Sequence, residues 1–280
     1  MAINFRLLFQ QTGKLILLGI MELRGFYWNL SFNKNKIFSI KILPGHKIKY
    51  SRKGDIGEII YKNEVLVKYK KSFEYSTLQL FSKILKRGDV IIDVGANSGL
   101  YSIFYSKLIG DGGAVYSFEP DISTFSLLQK NLALNNCGNV HAYNCALSDK
   151  ECSIEMVAAN PVNINLKSAD SFKFMKEVIP YDKARENHSI KAFKLDDIEE
   201  LKPVAKIDCI KIDVEGAELL VLQGGIKTIS KYKPIIIFEL SGEWTRRFNY
   251  KPFQLLVLLN ELGYQMDEYD FQQWIAKPVK

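Results

Sequence analysis

Four short apolar runs in this chain of 280 residues each end in a carboxylate. They are Val90-Ile91-Ile92-Asp93, Val115-Tyr116-Ser117-Phe118-Glu119, Cys209-Ile210-Lys211-Ile212-Asp213 and Ile235-Ile236-Ile237-Phe238-Glu239. Runs this short and this apolar read as strands buried on both faces. Helical spacing separates them. Leu78, Phe81, Ile84 and Leu85 precede the first run, with Ser72 placed to cap the start and Gly88 to close the end. Tyr101 to Ile109 and Ile122 to Leu134 follow as helices, the second with Phe125, Leu128 and Leu132 on one face, and Val140 to Tyr143 is a further strand. Later helices are expected at Ala217 to Leu222, stopped by Gly224-Gly225, and at Phe253 to Leu262. Alternation of this kind predicts an α/β fold with a doubly wound, mostly parallel sheet. Tyr264 to Tyr269 and Phe271 to Ala276 are expected to close it as an antiparallel hairpin.

A chain of this length is near the limit for one hydrophobic core, so one main domain with an extension is expected. The main domain is placed at 72–280 and the extension at 1–71. Within the extension, Met1 to Leu30 reads as an amphipathic helix around Leu15-Ile16-Leu17-Leu18. Short strands are expected at Ile37 to Ile40, Lys47 to Tyr50, Glu58 to Tyr61 and Val65 to Val67, separated by turn residues. The stretch 149–195 is too long for a simple connection in such a sheet and is expected to be a substrate-selective insertion.

The charge is uneven. Residues 1–71 carry 14 Lys+Arg against 4 Asp+Glu, whereas 72–280 carry 24 against 27, so the net +7 comes from the extension. A basic segment of this kind suits a solvated surface or peripheral contact with an anionic membrane. Nucleic acid is the weaker expectation, since only 7 of the 38 basic residues are arginine, the better bidentate phosphate reader. The longest stretch without a charged side chain, Asn131 to Ser148, holds five asparagines and a glycine and is too polar to span a membrane. Cys137, Cys145, Cys152 and Cys209 form no C-x-x-C pair and suggest neither zinc nor a disulfide framework, consistent with a cytoplasmic setting.

The chemistry concentrates after the strands. Val94-Gly95-Ala96-Asn97-Ser98-Gly99 is a glycine-bearing turn between strand and helix, the place where such sheets bind ligands. Asp93 can hold that turn or accept hydrogen bonds from a ligand. A dinucleotide fingerprint would need glycine at 97 and 100, where Asn97 and Leu100 stand, and Asn97 obstructs a pyrophosphate. A nucleoside without a pyrophosphate fits better, and S-adenosylmethionine is one. Glu119 ends the next strand 20 residues after Gly99, the spacing of an acidic residue that accepts ribose hydroxyls.

Taken together, Asp93-Val94-Gly95-Ala96-Asn97-Ser98-Gly99, Phe118-Glu119-Pro120, Lys211-Ile212-Asp213-Val214-Glu215-Gly216-Ala217-Glu218 and Pro234 to Glu239 resemble the FkbM-type methyltransferases. These belong to the S-adenosylmethionine-dependent enzymes with a Rossmann-like fold. Phe73-Glu74 also looks like the family's entry into the first core helix. The resemblance covers about residues 55–265. It implies a cofactor held by Asp93, Gly95, Ala96, Asn97 and Gly99, with Glu119 and Pro120 at the ribose and Asn144, Cys145 and Ala146 beside the adenine. It further implies O-methylation of hydroxyls on sugars, glycan precursors or small natural products.

An alcohol needs a base or a metal to become a good nucleophile. Asp213 and Glu239 are the candidates, as general base or as joint ligands of a divalent cation such as magnesium. His188 is a second base candidate, whereas His46 and His141 read as structural. Two other readings compete. Base methylation on nucleic acid would call for an Asn/Asp-Pro-Pro-aromatic turn, where Asp213-Val214-Glu215-Gly216 stands instead. A non-catalytic nucleoside-binding scaffold would keep the glycine turn and lack turnover.

Overall fold

The computed structural model describes residues 18–26, 37–51, 55–70, 74–156 and 188–279. Within it a seven-stranded sheet carries the four carboxylate-ending runs side by side. They are β3 (Val90–Val94), β4 (Ala114–Phe118), β9 (Cys209–Ile212) and β10 (Ile235–Glu239). With β5 (Val140–Tyr143), β11 (Tyr264–Asp270) and β12 (Gln273–Pro278), the order is β11-β12-β10-β9-β3-β4-β5. Strands β5, β4, β3, β9 and β10 are parallel, and β12 runs antiparallel to both β10 and β11. The expected closing hairpin is therefore present. The chain winds outward from β3 to β5 and then returns to the other side of β3 with β9, so the order reverses between β3 and β9. A ligand crevice opens at such a switch point, beyond the carboxyl ends of the strands.

Alternate strand residues feed two cores. Ile92, Val94, Ile210, Ile212, Ile236 and Phe238 join one cluster, with Leu219, Leu222, Leu255 and Leu259 of the covering helices. Ile91, Cys209 and Ile237 join the other, beneath α3 (Tyr75–Ile84) and α4 (Leu100–Ile109). Helix α5 (Ile122–Leu134) starts on Asp121, whose carboxylate accepts the Thr124 N–H at 2.7 Å, a standard N-cap. Leu85 rather than Gly88 ends α3, and Ser72 lies outside the described residues.

The extension is part of the same body. Its hairpin, β1 (Ile37–Leu43) with β2 (His46–Ser51), contributes Ile40, Ile48 and Tyr50 to the core under α3 and α4. Two of the four expected strands are thus correct. The other two are helical: 58–61 lies in α2 (Asp55–Asn63), and 65–67 in a 3₁₀ turn at Glu64–Tyr69. Ile56, Ile59 and Ile60 follow helical spacing, and the Asn63 side chain donates to the Ile59 carbonyl four residues back. The β-branched residues suggested strand, but a short helix forms and buries Ile60. Of the expected N-terminal helix, 18–26 is helical as α1, tied down by Arg24 to Glu64 at 2.5 Å and to the Tyr61 carbonyl at 2.7 Å. No helix among the described residues is long and apolar enough to cross a membrane.

The expected insertion begins and ends in a small sheet of β6 (Ala146–Leu147), β8 (His188–Phe193) and β7 (Cys152–Met156), in that order. Residues 157–187 lie outside the described residues.

Candidate active site

The strand register shows that the four carboxylates are not equivalent. Val94 pairs with Phe118 on one side and Ile212 on the other, and Ile212 pairs with Phe238. The next rung therefore holds Gly95, Glu119, Asp213 and Glu239. Asp93 sits two rungs deeper, opposite Ser117 and Lys211. It is fully buried and accepts the Ser102 hydroxyl at 2.6 Å. Its other oxygen has no hydrogen-bond partner, and burial raises its pKa against the pull of Lys211. Asp93 is built into the floor beneath the turn.

The turn itself needs its glycines for different reasons. Gly95 has φ +79°, and a Cβ there would lie 2.0 Å from the Asp213 carbonyl oxygen. No side chain fits between the ends of β3 and β9. Gly99 has φ +94° and starts α4 against Leu128. Both the Gly95 and Ala96 N–H groups donate to the Phe118 carbonyl at 3.0 Å. Asn97 adopts φ +49° and remains exposed, and its side-chain oxygen accepts the Ser98 N–H at 2.6 Å.

Glu119 is locked to the turn by backbone donors. One carboxylate oxygen accepts the Asn97 N–H and the other the Asp121 N–H, each at 2.9 Å. Burial nevertheless raises its pKa to about 7, and these two bonds only partly offset it. Each oxygen retains acceptor capacity for a further donor. Asn144 donates to the carbonyls of Glu119 and Pro120 at 2.9 Å, bracing this loop from β5, and Cys145 is buried beside it ahead of Ala146 in β6. The cofactor candidates thus gather at one end of the crevice, with Asp93 beneath them.

Asp213 and Glu239 occupy the other end as neighbours on adjacent strands and share a hydrogen bond. Burial and the Asp213 charge both raise the Glu239 pKa, to about 8, so Glu239 holds a proton more readily than an isolated glutamate. Lys211, buried in the apolar strand below, donates to Asp213 at 3.0 Å. Burial alone would lower the lysine pKa, but Asp213 and Asp93 outweigh it and hold the ammonium charged. Lys211 also lies over the Tyr101 ring at 4.6 Å, and the Tyr101 hydroxyl donates to Glu74 at 2.6 Å. Glu218 serves the loop: it accepts the N–H groups of Gly216 and Val214 at 3.0 and 3.2 Å.

Sequence reasoning did not assign roles to Lys211, Tyr101 and Glu74. A lysine inside an apolar run was the available signal, since a buried charge persists only when paired. The His188 side chain lies outside the described residues. His46 packs edge-on to Phe104, and His141 stacks on Tyr116. Among the described residues no group of three or more His, Cys, Asp or Glu is arranged to hold a metal ion. Asp213 and Glu239 offer two carboxylates, one of them already paired with Lys211.

Comparison with known proteins gives a consistent result. Residues 93–266 match the model of the methyltransferase FkbM domain. The chain is 32% identical over 143 residues to Methyltransferase 1 of Beauveria bassiana, covering 48% of this chain and 57% of that protein. It is 29% identical to the 31-O-demethyl-FK506 methyltransferase FkbM of Streptomyces tacrolimicus, over 50% of this chain and 60% of that one. It is 27% identical to the hexuronic acid methyltransferase AglP of Haloferax volcanii, over 59% of this chain and 61% of that one. The matches thus span about three fifths of these relatives' length. Among solved structures, a methyltransferase FkbM from Methylobacillus flagellatus KT aligns at a TM-score of 0.47 and 19% identity, over 78% of this chain and 54% of that one.

Proposed function

This chain belongs to the FkbM methyltransferase family, and on that premise we propose that it transfers a methyl group from S-adenosylmethionine to a hydroxyl of a sugar, glycan precursor or small natural product. The observation that carries the reading is the shared rung: Gly95 and Glu119 at one end of the crevice, Asp213 and Glu239 at the other.

The residues present fit a nucleoside. Exposed Asn97 fills the position where a pyrophosphate would need glycine. Glu119 would hold the ribose hydroxyls, and the Asn144 to Ala146 loop would flank the adenine. When bound, S-adenosylmethionine supplies a methyl group on a positively charged sulfur. The acidic end of the crevice attracts that charge. With its pKa raised to about 8 by burial and the Asp213 charge, Glu239 would hold a proton, and Asp213, paired with Lys211, would accept that of the acceptor hydroxyl. Lys211 keeps Asp213 oriented for this. Magnesium could join the two carboxylates with water ligands, but proton acceptance by Asp213 does not depend on it. Carboxylates at this end would repel a phosphate backbone, which favours a small acceptor over nucleic acid. Peripheral membrane contact is a separate proposal, supported by exposed Leu23 and Phe26 on the basic extension.

Thermal unfolding with S-adenosylhomocysteine, and with NAD as control, tests the cofactor. At 100 times its dissociation constant a ligand adds about 2.7 kcal/mol, a rise of several degrees in Tm. A shift with S-adenosylhomocysteine alone supports the proposal. An equal shift with NAD, or none with either, overturns it. Methyl transfer to a panel of hydroxylated acceptors, with magnesium or with chelator, then tests Asp213→Asn, for which loss of a general base predicts a fall of about 10²–10⁴-fold in kcat.

A further inference from the structure

A cleft of about 360 Å³ opens between the start of α3 and the turn joining β11 to β12. Its walls include Glu74, Ser76, Thr77, Asp270, Phe271 and Gln273. The cleft adjoins the Asp213–Glu239 pair in two ways. Gln273 is the register partner of Glu239 across β10 and β12. Glu74 reaches the pair through Tyr101 and Lys211.

We propose that this cleft is the acceptor subsite, and that it takes an uncharged saccharide ring whose reacting hydroxyl is presented to Asp213 and Glu239. The inference rests on the methyltransferase reading and gives its acceptor a place and a charge. Its volume lies at the small end of the range of about 300–1,000 Å³ for ligand sites. The walls alternate hydroxyl, amide and carboxylate groups, which bond sugar hydroxyls as acceptors or donors. Phe271 supplies an apolar face. It is 80% exposed, the highest exposure among the large hydrophobic residues described, so the core has no use for it. An exposed ring beside polar groups suits a ligand with one apolar face and a hydroxylated rim.

Charge selects within the sugars. Lys70 is the one basic residue lining the cleft among the described residues, against Glu74 and Asp270. Lys211 is committed to Asp213. Asp270 accepts the Ser76 hydroxyl, and Glu74 that of Tyr101, so both carboxylates are held in the walls. An acidic sugar would meet like charge along this path.

Saturation-transfer NMR on the full chain with S-adenosylhomocysteine present tests the proposal. The probes are methyl glycosides of glucose, mannose, galactose and rhamnose, with methyl glucuronide as the acidic counterpart. At least one neutral glycoside is expected to receive saturation, and the glucuronide none. Phe271→Ala and Gln273→Ala should each weaken neutral binding by about fivefold while leaving Tm and calorimetric affinity for S-adenosylhomocysteine unchanged. Signals that persist unchanged in both variants, no neutral binding to a protein that binds S-adenosylhomocysteine, or preference for the glucuronide would overturn the assignment. Failure to bind S-adenosylhomocysteine at all would instead bring down the methyltransferase reading beneath it.

Discussion

The two ends of the crevice hold their carboxylates by different physics. At the β3–β4 end, Glu119 is fastened by two backbone N–H groups from neighbouring turns. At the β9–β10 end, Asp213 and Glu239 stand together above Lys211 and are fastened by side chains. A carboxylate held by backbone keeps a fixed position and one local set of partners. One held among other charges has its protonation set by several residues at once. The first arrangement suits holding a ligand, and the second suits moving a proton.

Gly95 joins the two ends, so substituting it should have the largest effect. Gly95→Ala puts a Cβ against the Asp213 carbonyl at a positive φ. Backbone strain and overpacking together should cost about 3–5 kcal/mol, read by urea denaturation. Gly99→Ala shares the positive φ, but its closest contact, at 2.8 Å, is the end of the Leu128 side chain rather than backbone, so it should cost clearly less; equal losses would show that the close approach is not what Gly95 provides.

Lys211→Met tests the side-chain end. Removing the cation leaves Asp93 and Asp213 uncompensated, and breaking a buried pair costs about 3–5 kcal/mol. Asp213 is about a third exposed, which places the expectation toward the lower figure. A variant as stable as the parent would show that the lysine does not hold this end together.

Glu119→Ala tests the backbone end. Two lost charge-assisted bonds should weaken S-adenosylhomocysteine by about 2–4 kcal/mol in calorimetry. Unchanged affinity would remove the ribose role.

The smallest effect is also the sharpest. Burial raises the Glu119 pKa to about 7. An acid whose folded pKa is raised gives stability below its unfolded value, near 4.5, that is lost as pH rises through about 7. The free protein should therefore lose stability across that window. A ligand that donates to ionised Glu119 has the opposite dependence: its affinity should fall as pH drops below about 7, by at most about tenfold per unit. Glu119→Gln should flatten that slope, whereas substitutions at Glu239 should not. A slope that survives Glu119→Gln would assign the proton to the other end.

The contrast between the ends also explains how legible each was. The glycine turn and Glu119 stand out because local spacing alone defines them: a strand, a tight turn, a helix and an acidic residue at the next strand's end. The helical α2 region was misread because isolated β-branched residues do not reveal which surface they will cover. Lys211 was visible as an oddity in an apolar run without a stated purpose. The cleft at Phe271 escaped notice because its two walls lie almost 200 residues apart in the chain.

Local pattern therefore determined the elements of the main sheet, the family and the ligand-holding end of the crevice, since period and turn chemistry act over a few residues. The tertiary structure decided the rest. Register placed Asp93 two rungs below Glu119, Asp213 and Glu239 and buried it. Pairing between strands brought Asp213 against Glu239 and set Lys211 beneath them. Hydrogen-bond register and the desolvation of charge depend on which strands become neighbours, and no short stretch of sequence carries that information.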